Sequence, residues 1–125
     1  MTANPANEKL IRDFITAWTR RDADELAGYF TEDGVYHNMP VGPVAGRGKV
    51  RDFISAFLAD WTETEWDILN LMSSGSVVIA ERLDRTKTKK GPVDLPCCGV
   101  FEIEGGKIKV WRDYFHMGTY VKALS

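Results

Sequence analysis

Three stretches in the first half of the chain repeat apolar residues at helical spacing. In residues 6–22 they fall on one face of a predicted helix, at Leu10, Ile11, Phe14, Ile15 and Trp18. "DADELAGYF" then offers Asp22 as an N-cap with Glu25 three residues later, which predicts a short second helix completed by Leu26, Tyr29 and Phe30. Residues 49–61 predict a third helix with the stripe Val50, Phe53, Ile54, Phe57, Leu58 and Trp61.

The second half of the chain changes to extended segments. "TEDG" predicts a break after the second helix, "VYHNM" a short strand, and "GPVAGRG" a loop. "TETEWDILNLM", "VVIAERLDRTKT", "CCGVFEIE" and "IKVWRDYFHM" read as successive strands, and the Gly-Gly pair of "EGGK" predicts a hairpin turn between the last two.

This order of elements predicts a single domain over residues 1–125 in the α+β class. We expect a strongly curved, mixed but mostly antiparallel sheet wrapped around three N-terminal helices. Such a sheet forms a cone with a central pocket.

Several polar residues fall on strand faces that this fold would bury. Side chains two apart share a face of a strand, so Tyr36 lies with Asn38, Arg82 with Asp84, and Asp113 between two aromatic residues. An isolated ionised carboxylate is costly to bury unless it is paired or protonated. If these faces line the pocket, it contains two carboxylates, a guanidinium, a phenol and an amide.

"VYHN", "ERLDR" and "VWRDYF", in this order after two helices, resemble the limonene-1,2-epoxide hydrolase family over nearly the whole chain. "GRGKVRDFI" is similar to an element of the wider nuclear-transport-factor-like and polyketide-cyclase-like domains. The resemblance implies that Asp113 is the catalytic base and Asp84 the acid. It assigns Arg82, Tyr36 and Asn38 to the same site. His116 departs from the family pattern, which has an acidic residue there.

These residue types suit the addition of water to an epoxide. Water must lose a proton as it attacks carbon while the leaving oxygen gains one, and a base and an acid on opposite sides supply both steps. Two aspartates that share one proton beside one arginine carry no net charge, so Arg82 is the expected partner of Asp113 and Asp84. The reaction requires no metal or organic cofactor.

Composition and charge limit the partners and the cellular location expected of the protein. The chain has 125 residues, 27% of them charged, and a net charge of -2, which predicts neither nucleic acid nor an anionic membrane as a partner. No apolar run reaches the ~18–20 residues of a membrane-spanning helix, and the N-terminus lacks the pattern of a signal peptide. The adjacent Cys97 and Cys98 match no zinc spacing and fit a reducing, cytoplasmic location.

The expected substrate is a small apolar epoxide, held by the candidate pocket residues Trp18, Phe53, Leu83, Trp111 and Phe115. Apolar residues on both faces of the last strands predict a homodimer with a two-fold axis. His37 and His116 point away from the polar set, which argues against metal ligation. A ketosteroid-isomerase-like or polyketide-cyclase-like enzyme, or a non-enzymatic ligand-binding or dimerisation module on the same fold, stay open as alternatives.

Overall fold

The computed structural model describes residues 2–125. The first half of the chain contains three helices and two strands: α1 (Pro5–Ala17), followed by a 3-10 turn (Trp18–Arg20), α2 (Ala23–Ala27), β1 (Phe30–Asn38), β2 (Gly42–Ala45) and α3 (Arg47–Leu58). The second half contains four strands and a short helix: β3 (Trp61–Ser74), β4 (Val77–Thr88), β5 (Gly91–Glu104), β6 (Lys107–Phe115) and α4 (Met117–Ala123).

All six strands belong to one sheet in the order β2-β1-β6-β5-β4-β3. β1 runs parallel to β6, and the other neighbours are antiparallel, so the sheet is mixed but mostly antiparallel, as predicted. Helix α3 contacts β1 and β2 at one edge of the sheet and β3 at the opposite edge. The sheet therefore curls around the helices, and the α+β class predicted from the sequence is confirmed.

The helix ends follow the capping pattern in part. The Asp22 side chain caps α2 by accepting hydrogen bonds from the backbone N–H groups of Asp24 and Glu25, at 3.0 and 3.1 Å. Glu25 does not complete a reciprocal capping box, because its carboxylate pairs with Arg20 at 2.6 Å. α2 ends at Ala27, so the predicted extension of this helix to Phe30 is wrong, and Phe30 instead begins β1.

Two segments predicted to lack regular structure belong to the sheet. "TEDG" continues β1 through an irregularity in its pairing with β6 between Phe30 and Val35. "GPVA" forms β2, which pairs only with β1 and lies at the sheet edge, where Pro43 is tolerated. The predicted Gly-Gly turn is confirmed, and both glycines have the positive φ angles, 56° and 75°, that a tight hairpin requires.

The C-terminus differs from its prediction. β6 stops at Phe115, and α4 follows where the sequence predicted more strand. The His116 imidazole accepts a hydrogen bond from the Thr119 backbone N–H at 3.2 Å and so caps this helix. α4 packs against β5 beside Val93, Leu95 and Cys97. In the described part of the chain, no helix is both long and apolar enough to cross a lipid bilayer.

The main core fills the narrow part of the curled sheet. Its fully buried large side chains are mostly aromatic and aliphatic, and they include Phe14, Trp18, Phe30, Phe101 and Trp111. Along β4, every second residue from Val78 to Thr88 is buried, which matches the alternation expected of a strand with one covered face. Val78 and Ala80 lie in the core, and the polar residues that follow lie further along the same face.

Candidate active site

Strand register brings the predicted polar residues together. Asn38 of β1 pairs with Asp113 of β6, which in turn lies opposite Gly99 of β5. On the far side of β5, Arg82 of β4 lies two residues along from Ala80, which pairs with Gly99, and so it is on the same face of the strand. A Cβ atom at Gly99 would lie 2.9 Å from Arg82 Nη1. The missing side chain of Gly99 therefore gives Arg82 the space to reach across β5 to Asp113.

Arg82 binds both aspartates and is itself fully buried. Its Nε and Nη2 atoms donate to the two oxygens of Asp84 at 3.0 and 2.8 Å. Nη1 and Nη2 donate to the two oxygens of Asp113 at 2.9 and 3.0 Å. The predicted pairing of Arg82 with Asp84 and Asp113 is thus present, and it has the forked geometry that a lysine could not supply.

Burial and charge pairing act in opposite directions on the ionisation of this triad. Burial disfavours the charge on Arg82, but the two carboxylates outweigh it and raise the pKa of the guanidinium well above its usual value. Burial raises the pKa of Asp84, although the charge of Arg82 acts in the opposite direction. One proton shared by the two carboxyl groups would make the buried triad neutral overall.

β1 supplies the neutral polar groups beside Asp113. Tyr36 stacks on Trp111 with ring centroids 4.2 Å apart, and burial, followed by the charge of Asp113, raises the pKa of the phenol well above its usual value. Asn38 is buried, and no donor in residues 2–125 makes a hydrogen bond to its Oδ1 atom. A buried amide oxygen is an acceptor suited to a small polar ligand.

These polar groups form one wall of a cavity of about 200 Å³. The other walls are mostly apolar, with residues from α3, the start of β3, β5 and α4. The complete lining is Tyr36, Asn38, Val41, Phe53, Phe57, Trp61, Trp66, Asp84, Leu95, Cys97, Asp113, Phe115, Met117 and Tyr120. Arg82 lies behind the two aspartates, with its guanidinium 4.6 Å from the centroid of the Trp66 ring.

Two of the five predicted pocket residues line this cavity, and three do not. Phe53 and Phe115 are lining residues, as predicted. Trp18 lies one layer behind, stacked on Trp66 at 4.3 Å. Trp111 is on the predicted strand face, but its register places it in the core against Phe101.

Leu83 is the third wrong assignment. It lies between Arg82 and Asp84 along β4, and both of these are buried on the inner face. Because side chains alternate along a strand, Leu83 belongs to the outer face of the sheet and cannot reach the cavity.

Sequence reasoning missed several lining residues. Met117 and Tyr120 could not be placed because α4 was not expected. Trp61 was assigned to the third helix but begins β3, and its Nε1 donates to the Tyr120 hydroxyl at 3.1 Å across the cavity wall. Leu95 and Cys97 carry a detectable pattern, since they alternate with exposed residues from Val93 onwards.

Three side chains with possible metal-ligand atoms, Asp84, Cys97 and Asp113, lie within 4.8 Å of one another. They do not fit a metal ion well. Arg82 already donates to every carboxylate oxygen of the two aspartates. Burial also raises the pKa of the Cys97 thiol well above its usual value, whereas a metal-bound cysteine is a thiolate.

The arrangement of the site residues agrees with the similarity of the chain to known proteins. Residues 5–125 match the family described as the limonene-1,2-epoxide hydrolase (LEH) catalytic domain, and the chain belongs to this family. Epoxide hydrolase EphG of Mycobacterium tuberculosis is 27% identical over 114 residues, which cover 91% of this chain and 76% of that protein. These matches support epoxide hydrolysis at the level of the family.

Solved structures give the same fold. The structure of an LEH-like epoxide hydrolase from M. tuberculosis has a TM-score of 0.82 and 26% identity, and the match covers 95% of this chain and 89% of that one. A protein from Shewanella denitrificans described as a SnoaL-like polyketide cyclase has a TM-score of 0.87, with 97% and 98% covered. Its identity is only 15%, so this likeness concerns the cone fold alone.

Proposed function

We propose that the protein adds water to a small apolar epoxide and forms a vicinal diol in one step. The observation that carries this proposal is the buried Arg82, which holds Asp84 and Asp113 at the wall of one apolar cavity. Two carboxyl groups fixed by one guanidinium offer a base and an acid at the same site. Asp113 is the proposed base and Asp84 the proposed acid.

On the base side, Asp113 would take a proton from the attacking water. The second water hydrogen fits the Oδ1 acceptor of Asn38, which has no donor in the described chain. Tyr36, whose raised pKa keeps it protonated, can donate to the water oxygen. Three contacts would leave one lone pair of the water directed into the cavity, which lowers the entropic cost of attack.

On the acid side, Asp84 would donate its proton to the epoxide oxygen. The new bond joins the water oxygen to an epoxide carbon as the bond from that carbon to the epoxide oxygen breaks. Asp113 ends protonated and Asp84 ionised, and return of the proton to Asp84 completes the cycle. This chemistry requires no metal and no organic cofactor.

The cavity favours a compact apolar substrate. Its volume of about 200 Å³ is below the ~300–1,000 Å³ typical of sites for drug-sized ligands. Phe53, Phe57, Trp66 and Phe115 offer ring faces and edges, while the polar groups occupy one wall. Such a site can orient the epoxide oxygen toward Asp84 while the hydrocarbon part rests on the aromatic rings.

The alternative reactions fit the triad less well. An isomerase-like or cyclase-like site on this fold would pair one carboxylate base with neutral donors around an oxyanion. Here Arg82 contacts both carboxyl groups equally closely, and this suits a proton shared between them. Three ionisable groups are costly to bury, and a binding module without catalysis would have no need of them.

A substrate panel tests the proposed reaction. Purified protein is incubated with cyclohexene oxide, styrene oxide and limonene-1,2-epoxide, and diols are measured by gas chromatography. We expect diol from at least one epoxide, and loss of that activity in Asp113→Asn. Wild-type protein that forms no diol from any of a broad panel would contradict the proposal.

An oxygen-18 experiment tests direct attack by water. With enzyme in excess in labelled water, the diol from the first turnover should carry the label, because Asp113 handles only a proton. A covalent route through an aspartate ester would instead deliver protein oxygen to the first diol. Label found in a peptide containing Asp84 or Asp113 after many turnovers would also contradict direct attack.

We further propose that the protein works as a cytoplasmic homodimer. Met72 and Ile79 are cross-strand partners on the outer sheet face, and these residues are 60% and 39% exposed; Tyr114 is 44% exposed on the same side. Sedimentation at micromolar concentration should give a dimer, and Ile79→Glu should weaken it. A wild-type monomer would overturn the assembly. Cell fractionation tests the location.

A further inference from the structure

Cys97 lines the cavity but has no part in the chemistry above. It lies on β5 directly opposite Arg82, and its side chain faces the inside of the sheet. Its Sγ atom is 3.4 Å from Asp84 Oδ2 and 3.4 Å from the backbone oxygen of Leu95. The thiol thus has two possible acceptors at equal distance, and one of them belongs to the proposed acid.

The Cys97 thiol is suited to donating a hydrogen bond and poorly suited to nucleophilic attack. Burial, reinforced by the charges of Asp84 and Asp113, raises the pKa of Cys97 well above its usual value. The group therefore stays protonated and has one hydrogen to donate. An ionised carboxylate is a stronger acceptor than a neutral carbonyl, and a protonated carboxyl group is a weaker acceptor than a carboxylate.

We propose that Cys97 is a positioning residue for Asp84, whose thiol donates to Oδ2 when the carboxyl group is ionised and to Leu95 when it is protonated. The inference rests on the proposed role of Asp84 as the acid. Donation to the carboxylate stabilises the form that remains after the proton has moved to the substrate. Cys97 therefore makes Asp84 a stronger acid and stabilises its carboxylate as the proton leaves.

The other groups around Asp84 set the background for this contact. Arg82 of β4 favours the ionised form, and Asp113 of β6 opposes it. β1 contributes the neutral Tyr36 to the cavity lining. The residues that β3, α3 and α4 present to the cavity carry no charge, namely Trp61, Trp66, Phe53, Phe57, Met117 and Tyr120. Since a thiol is a weak donor, its effect on Asp84 should be smaller than that of Arg82.

The pH dependence of kcat/KM tests the proposal. Activity requires protonated Asp84, so the alkaline limb of the profile reports its ionisation. Cys97→Ala removes the donor to the ionised form, and the limb should move to higher pH by about 0.5–1 unit, given typical hydrogen-bond contributions. Cys97→Ser retains a donor and should move the limb back toward or below the wild-type position.

Cys98→Ala is the matched control. Cys98 is the next residue on β5, so its side chain lies on the other face of the sheet, and its loss should leave the limb in place. Superimposed profiles for wild type, Cys97→Ala and Cys98→Ala would overturn the proposal. A purely structural role of Cys97 would lower kcat/KM without moving the limb.

A titration without substrate separates this inference from the proposed function. Carbon-13 NMR of labelled aspartate carboxyl groups can follow Asp84, assigned by its loss in Asp84→Asn. Its pKa should be higher in Cys97→Ala than in wild type and unchanged in Cys98→Ala. If no epoxide is hydrolysed but this shift occurs, the reaction is wrong and the Cys97 contact stands. If diol forms but neither the limb nor the NMR titration moves, the Cys97 proposal is wrong.

Discussion

The inner face of β4 contains two halves that follow the same alternation and differ in chemistry. Val78 and Ala80 are fully buried among the aromatic rings of the core. Arg82 is equally buried, and Asp84 is 6% exposed, at the wall of the cavity. The comparison shows that strand parity determines which side chains are covered, whereas cross-strand partners determine whether a covered charge is tolerated.

The apolar half of this face is stabilised by close packing. The polar half is stabilised by the pairing of its buried charges. In the core half, Phe101 and Trp111 stack with centroids 5.3 Å apart. In the cavity half, Arg82 makes four hydrogen bonds to two carboxyl groups, and loss of the guanidinium leaves both of them without a cation. The cavity half is therefore where single substitutions should separate activity from folding.

The largest expected effect is on turnover in Asp113→Asn. The amide keeps the shape of the side chain but cannot take a proton from water, so kcat/KM should fall by about two to four orders of magnitude. Asp94→Asn, an exposed change on the neighbouring strand β5, is the control and should leave the rate unchanged. Near-normal turnover in Asp113→Asn would remove Asp113 from the role of base.

The next largest effect concerns stability and compares two arginines of β4. Arg82→Met leaves two buried carboxyl groups without a cation and should cost about 3–5 kcal/mol of unfolding free energy near neutral pH. Arg85→Met removes solvent-exposed contacts to Asp67 and should leave the free energy of unfolding nearly unchanged. Urea denaturation of both variants measures the difference.

The pH dependence of Arg82→Met provides an additional check. Without the cation, ionisation of either carboxyl group leaves a buried charge unpaired, so the stability deficit of the variant should grow as pH rises and these groups lose their protons. The variant should recover stability relative to wild type as pH falls. A deficit that stayed constant with pH would mean that lost packing, and not charge, is responsible.

Gly99→Ala should disturb the packing where the core meets the cavity. The new Cβ would lie 2.9 Å from Arg82 Nη1 and 2.9 Å from Trp111 Nε1, so one group from each half must move. We expect a stability loss of about 1–3 kcal/mol, typical of overpacking, together with reduced kcat/KM. Gly48→Ala is the control, because nothing lies within 4 Å of its added methyl group in α3. Gly99→Ala with wild-type stability and rate would contradict the close approach.

The strand face that each residue occupies was predictable from the sequence. Whether a residue on the inner face lies in the core or at the cavity was not. Period-two alternation predicted that Tyr36 shares a face with Asn38 and Arg82 with Asp84, and the family resemblance added Asp113 to the same site. All five are buried there. Whether a covered residue belongs to the core or to the cavity depends on register, which also depends on strand irregularities such as the one within "TEDG". For this reason Trp111 was assigned to the pocket but lies in the core.

Elements fixed by a single side chain were also beyond the sequence pattern. The helix α4 begins at a histidine cap, and the apolar pattern before it indicated more strand. Gly99 carries no pattern of its own, and its role becomes visible only when β5 lies between β4 and β6. Residues whose function is to leave space are found from the register and not from residue type.

The smallest expected effect is on the stability of Asp84→Asn, and it has the most informative sign. The folded-state pKa of Asp84 is raised above the usual value by burial, so its ionisation opposes folding at high pH. An amide resembles the protonated acid in shape and charge, and it leaves Arg82 paired with an ionised Asp113. The variant should match wild type at low pH and become more stable than wild type as pH rises from the unfolded-state pKa of an aspartate to the higher folded-state pKa of Asp84. Because the amide has no acidic proton for the epoxide, kcat/KM should fall by about two to four orders of magnitude in the same protein. Thermal or urea unfolding across pH, measured beside the diol assay, gives both numbers. A variant that is less stable than wild type at every pH would show that Asp84 serves mainly as an ionised partner of Arg82.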